Sequence, residues 1–242
     1  MSDEHIIIAG DSNALGFLNV GPAPYVATPQ VQIWARQPDG SYAWNFMHPG
    51  VNTGAPNNPT SWGPEVGIAK AWLAQHGGDG SVLWIVKDDL TVKGGTTLAV
   101  DWAPSGGGFF ASTSQAARAA MHDLDGTKYA FAHYDAAMVV LGENDAVNHG
   151  FAQAYAANLK AFDHAALSDW NVDRLIETRI EDTMGTSADN FAVRDAQWEA
   201  GLGDPEVATV KTIGFEQQPD HIHYDAVGQL DVGAALFDAW RP

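Results

Sequence analysis

The stretch Ile6-Ile7-Ile8-Ala9-Gly10-Asp11-Ser12-Asn13 decides the fold: an unbroken apolar run closes on a glycine and passes at once into a polar turn. A run with no polar break suits a strand covered on both faces, in the middle of a parallel sheet. Further strand-like runs follow at Val82 to Val86, Ala136 to Leu141, Arg174 to Ile180 and Val207 to Ile213. Helical stretches separate them: Glu65 to His76, stopped by Gly77 and Gly78, then Ser114 to Leu124, Phe151 to Leu167 and Val193 to Gly201. Ala226 to Trp240 reads as a closing helix. This alternation predicts an α/β, three-layer, flavodoxin-like fold with a central five-stranded parallel sheet, whose ligand site lies at the carboxyl ends of the strands.

Residues 17–62 break the rhythm, being rich in Pro, Gly, Asn and aromatics and too long for an ordinary connection. We read them as an inserted loop or hairpin after the first strand. Trp34, Tyr42, Trp44 and Phe46 alternate there as in a β-ribbon, packed over the sheet edge or forming a substrate rim. A second irregular segment, Lys93 to Thr113, falls at the functional end of the sheet.

The length of 242 residues fits one domain, 1–242, and 45 % apolar residues are ample for a core. Acidic side chains number 30 against 12 basic, and the resulting charge of −18 argues against nucleic acid and anionic membrane as partners. The absence of Cys excludes disulfides, thiolate catalysis and Cys-ligated metal centres. The N-terminus, Met1-Ser2-Asp3-Glu4-His5, has no positive region or long apolar run, so we expect a soluble protein without a signal peptide, cytoplasmic or released by a non-Sec route. Oligomeric state is not legible.

Four short segments sit where this topology is reactive. Ser12 lies on the turn after the first strand, where a serine is exposed and helix-start N–H groups face developing negative charge; Asp11-Ser12-Asn13 is equally an ordinary turn or helix cap. Asp220 and His223, three apart, can place a carboxylate behind an imidazole for base work. The same segment can be a surface turn, or His221 and His223 with Asp225 a metal site. Asn144, after the third strand, can aim its amide at an oxyanion formed at Ser12, and at Gly94 or Gly95 a backbone N–H can approach the same oxygen.

In their joint order these blocks resemble the SGNH hydrolase superfamily, and within it the sialate O-acetylesterase and acetylxylan esterase branch. The branch's Gly-x-Ser-Asn-x-x-Gly motif is met by Gly10, Ser12, Asn13 and Gly16. Gly94-Gly95-Thr96 with Leu98 and Trp102, Gly142-Glu143 with Asp145-Ala146, and His223 with Gly228-Gln229 are similar to its later blocks. Leu141 stands where that branch usually carries a Gln, so the resemblance implies Asn144 as the side-chain oxyanion donor. It implies a serine esterase that removes O-acetyl groups from a carbohydrate without a cofactor or metal. Ser12, Asp220 and His223 would form the triad, and Ser12, Gly94 or Gly95, and Asn144 the oxyanion hole. Gly63 reads instead as the turn entering a helix.

For the sugar, Trp102 and Trp34 are the best-placed aromatics, and Asp11, Asn13 and Glu143 are candidate substrate contacts, Glu143 alternatively positioning the triad. The acidic balance favours neutral glycans over strongly anionic ones. The competing readings are a non-catalytic glycan-binding module on an esterase-like fold and a His-ligated metal hydrolase.

Overall fold

The structure, a computed structural model, describes residues 3–19, 23–181 and 187–241. Met1 and Ser2 of the N-terminal reading, and 20–22 of the insertion, lie outside them. Strand β1 (Glu4–Gly10) is buried along its whole length, as its apolar run requires. It pairs in parallel with β4 (Leu83–Val86) on one side and with β5 (Ala136–Val140) on the other. Beyond β5 lie β6 (Leu175–Arg179) and β7 (Val207–Lys211), again parallel.

The sheet is larger than the sequence reading of five parallel strands. The segment read as an insertion supplies two members of it, β2 (Val31–Arg36) and β3 (Tyr42–Phe46). The order is β3-β2-β4-β1-β5-β6-β7, seven strands, with β2 parallel to β4 and only the β2–β3 ribbon antiparallel. The ribbon therefore extends the sheet in its own plane rather than packing over its edge.

Helices cover both faces. On one face α2 (Glu65–His76) and α7 (Ala226–Trp240) bury Trp72, Leu236 and Phe237 against Ile6, Ile8 and Met138. On the other, α3 (Gly108–Asp123), α5 (His149–Asp169) and α6 (Ala188–Gly203) bury Phe110, Phe162 and Val193 against Ile7, Ala9 and Val139. Adjacent residues of β1 thus serve opposite cores, which is why its run Ile6 to Ala9 is apolar without a break. Two single-turn helices, α1 (Ser12–Leu15) and α4 (Glu143–Ala146), follow β1 and β5 directly, at the carboxyl end of the sheet. No helix among the described residues is long and apolar enough to cross a membrane.

Candidate active site

The site begins at Gly10, the last residue of β1, whose φ of +142° disfavours any L side chain. A Cβ there would also lie 1.9 Å from the carbonyl oxygen of Val140, so the neighbouring strand leaves room only for hydrogen. This sharp exit lifts Ser12 onto the first turn of α1. Asp11 caps that turn, its Oδ1 accepting the Asn13 N–H at 3.1 Å.

The partner loop arrives 211 residues later in the chain, and His223 Nε2 lies 2.9 Å from Ser12 Oγ. The other ring nitrogen, Nδ1, lies 2.7 Å from Asp220 Oδ2, so both nitrogens of His223 are engaged. Asp220 Oδ1 accepts the backbone N–H groups of Ile222 and His223, each at 3.0 Å. His221 makes this tight turn with a φ of +58°, in the left-handed region. Burial alone would raise the Asp220 carboxyl. The hydrogen bonds from the His223 ring and from the two N–H groups outweigh it and hold the group below its ordinary range, as an anion behind the imidazole. Phe17 packs on the outer side of the imidazole, ring centroids 4.9 Å apart.

Asn13 ties this loop to α1. Its Nδ2 donates to Glu143 Oε1 at 2.6 Å and to the Ile222 carbonyl at 3.1 Å, while its Oδ1 accepts the Tyr224 N–H at 3.1 Å. Gln229 of α7 donates to the Asn13 carbonyl at 3.1 Å. Residues on both sides of His223 are thereby fixed to the residue after Ser12.

The third wall is the loop after β4. Lys93 N–H donates to the Gly10 carbonyl at 3.0 Å, which brings the following Gly94 against Ser12: a Cβ on Gly94 would sit 3.3 Å from Ser12 Cβ. Gly95, with a φ of +79°, has nothing within 4 Å of where its Cβ would be. Of the two candidate glycines, Gly94 is the one beside Ser12. Gly63 packs under α1 instead, its N–H donating to Glu65 Oε1 at 2.8 Å.

Asn144 departs from the sequence reading. Its amide donates to Asp11 Oδ2 at 3.0 Å and to the Thr96 carbonyl at 3.1 Å. A planar NH₂ has two hydrogens, and both are taken, so here Asn144 braces the Gly94 loop rather than presenting a donor to an oxyanion. The adjacent Asp145 reinforces the brace by accepting the N–H groups of Leu98 and Ala99 at 2.8 and 3.2 Å. Burial pushes its carboxyl up to about 6 against those two bonds.

The five residues read as substrate contacts are corrected in the same way, because all are buried. Trp34 stands edge-on to Trp44 in the core, and Trp102 lies in that core with its Nε1 bonded to Thr96 Oγ1 at 3.0 Å. Asp11 and Glu143 form a buried carboxyl pair below Ser12. Burial raises both, and the Glu143 charge raises Asp11 further. Asn13 and Glu143 are instead joined to each other and, through Asn13, to the backbone on both sides of His223. Phe17, Asp145 and Gln229 were not singled out for these roles. An aromatic next to Gly16, and a second carboxylate after Glu143, are the signals that could have drawn attention to them.

The chain matches the model of a family described as "carbohydrate esterase, sialic acid-specific acetylesterase" over residues 3–241. No curated protein matches it. Among solved structures, a protein of Arabidopsis thaliana is similar with a TM-score of 0.74 at 19 % identity, covering 98 % of both chains. NanS has a TM-score of 0.66 at 12 % identity, over 98 % of this chain and 97 % of its own. A carbohydrate acetylesterase from Xanthomonas citri has 0.61 at 15 %, over 98 % of this chain and 56 % of its own. At these identities the likeness is one of fold.

Proposed function

Since the chain belongs to the sialic acid-specific acetylesterase family of carbohydrate esterases, we propose that it cleaves O-acetyl groups from carbohydrate by a serine mechanism in which Ser12 is the nucleophile. As a carbohydrate esterase it is a carboxylic ester hydrolase with an acetylated carbohydrate as substrate. The observation that carries the mechanism is the contact chain Ser12 Oγ to His223 Nε2, 2.9 Å, and His223 Nδ1 to Asp220 Oδ2, 2.7 Å.

In this reading His223 takes the Ser12 proton as Oγ attacks the acetyl carbon, and Asp220 holds the tautomer with the proton on Nδ1. The negative oxygen of the tetrahedral intermediate is met by the Ser12 and Gly94 N–H groups. Collapse breaks the ester bond, the imidazolium returns the proton to the departing sugar hydroxyl, and an acetyl-enzyme remains. Water, deprotonated by the same imidazole, then attacks the acetyl carbon, releasing acetate and restoring Ser12.

The test is acetate release from a panel of O-acetylated sugars, with 4-nitrophenyl acetate as a chromogenic control, for the wild type and Ser12→Ala. The variant should lose turnover by more than the roughly 100- to 1,000-fold that one oxyanion donor supplies. Hydrolysis undiminished in Ser12→Ala rejects the serine mechanism. Sugar binding by the wild type with no acetate release favours a non-catalytic module.

A further inference from the structure

A cavity of about 850 Å³ opens between the β2–β3 ribbon and residues 48–59, with Asp88 and Asp89 also in its lining. Its walls include none of Ser12, Asp220 and His223. Its volume is in the range of about 300 to 1,000 Å³ typical of small-molecule sites. We propose that this cavity is a second carbohydrate subsite, which holds neutral sugar units of the glycan whose acetylated residue lies at Ser12; the inference rests on the esterase reading above.

Several observations carry it. The walls mix amide and carboxyl groups (Gln37, Asn45, Asn52, Asp88, Asp89) with the apolar Phe46, which is 48 % exposed. That mixture suits a ligand with hydroxyl edges and C–H faces. The wall is also built rather than loose. Asn52 Nδ2 donates to the Phe46 carbonyl at 2.8 Å and its Oδ1 accepts the His48 N–H at 2.7 Å, which locks the loop to the end of β3.

Asp88 in turn has an unmet acceptor. It is 4 % exposed, its Oδ1 accepts the Leu90 N–H at 2.8 Å, and its Oδ2 has no hydrogen-bond partner among the described residues.

The remaining observations concern continuity and charge. The segment from Asp88 and Asp89 runs directly into the active-site loop, where the Thr91 carbonyl accepts the Gly10 N–H at 3.1 Å and Gly94 abuts Ser12. Of the lining cations, Arg36 is paired with Asp89 at 3.9 Å and Lys87 with Glu65 at 2.6 Å, and the protein carries a net charge of −18, so an anionic glycan is disfavoured.

The experiment compares acetylated xylose with acetylated xylotriose as substrates, and measures binding of xylotriose and of sialyllactose to Ser12→Ala by calorimetry. The variants are Asn45→Trp, which fills the cavity, and Asp88→Asn, which keeps the Oδ1 cap but removes the charge; their melting curves verify folding. The ratio of KM for the trisaccharide to KM for the monosaccharide should rise roughly tenfold in each. Ser12→Ala should bind xylotriose more tightly than sialyllactose and lose that binding when Asn45→Trp is added. An unchanged KM ratio in both variants, or tighter binding of sialyllactose, overturns the inference. If the wild type releases no acetate from any sugar while Asn45→Trp still abolishes xylotriose binding, the esterase reading fails and the subsite stands.

Discussion

Asn13 donates its side-chain amide to Glu143 Oε1 across 2.6 Å, joining the turn after β1 to the turn after β5 beneath the nucleophile. The same amide holds the Ile222 carbonyl, and its oxygen holds the Tyr224 N–H, so one side chain clamps the backbone on both sides of His223. Asn13→Ala removes three bonds without touching the triad. We expect kcat on an acetyl ester to fall by about 100-fold, the effect of a misplacement of roughly 1 Å in a catalytic group. Steady-state kinetics beside a melting curve will show it; kcat within twofold of wild type would mean that the loop holds His223 unaided.

Gly94 and Gly95 separate by substitution. An alanine Cβ at Gly94 meets Ser12 Cβ at 3.3 Å and pushes the N–H proposed for the oxyanion away from it. At Gly95 the methyl meets nothing, but a φ of +79° strains the backbone. Gly94→Ala should therefore lower kcat by about 100- to 1,000-fold with little loss of stability. Gly95→Ala should cost about 1 to 3 kcal/mol of stability and keep most of its turnover when folded. The reverse pattern, in paired kinetic and thermal measurements, would assign the oxyanion contact to Gly95.

Asn144 offers a pH-resolved test of its bracing role. Both groups it serves, Asp11 Oδ2 at 3.0 Å and the Thr96 carbonyl at 3.1 Å, accept its hydrogens, so a carboxylate in its place would lose both bonds and stand beside the buried Asp11 and Glu143 carboxyls. The carboxyl of Asn144→Asp should thus be harder to ionise in the folded than in the unfolded chain, whose ordinary value is about 3.9. A raised folded value means that stability falls as pH rises above about 4. The melting temperature of Asn144→Asp should trail wild type more at pH 8 than at pH 5. A deficit independent of pH would show that the side chain is not held between those two acceptors.

What was legible in the sequence follows from how local each feature is. Asp220 and His223 lie three residues apart and Ser12 follows its strand directly, so residue type and spacing were enough to nominate all three for the proposed triad. β2 was missed as a sheet strand because its partner is remote: Val31 pairs with Leu83, and no local pattern in 31–36 states that. Asn144 was visible as a residue but not as a direction. Its amide is aimed by Asp11 and by the Thr96 carbonyl, 133 and 48 residues away. The tryptophans failed for a related reason, since an indole that caps a core and one that stacks on a sugar have the same composition around them; only the packing of Trp102 against Phe109 and Trp170 decides.

A second carboxyl pair lies where Glu177 of β6 meets Asp163 of α5, both buried. Burial pushes Asp163 up to about 7. Burial and then the Asp163 charge drive Glu177 well above its ordinary range. Both folded values exceed the unfolded ones of about 4, so between these limits the folded chain holds protons that the unfolded chain has released. The sign follows directly: the penalty is absent below about pH 4, accumulates as pH rises, and for Asp163 is complete above about 7. Glu177→Gln keeps the shape and removes one charge, which also relieves the other. Its melting temperature should therefore exceed that of wild type at pH 8, and the gap should shrink towards pH 5. A gap that is constant between those values, or a variant less stable than wild type at pH 8, would mean that the pair is ionised and compensated by a neighbour.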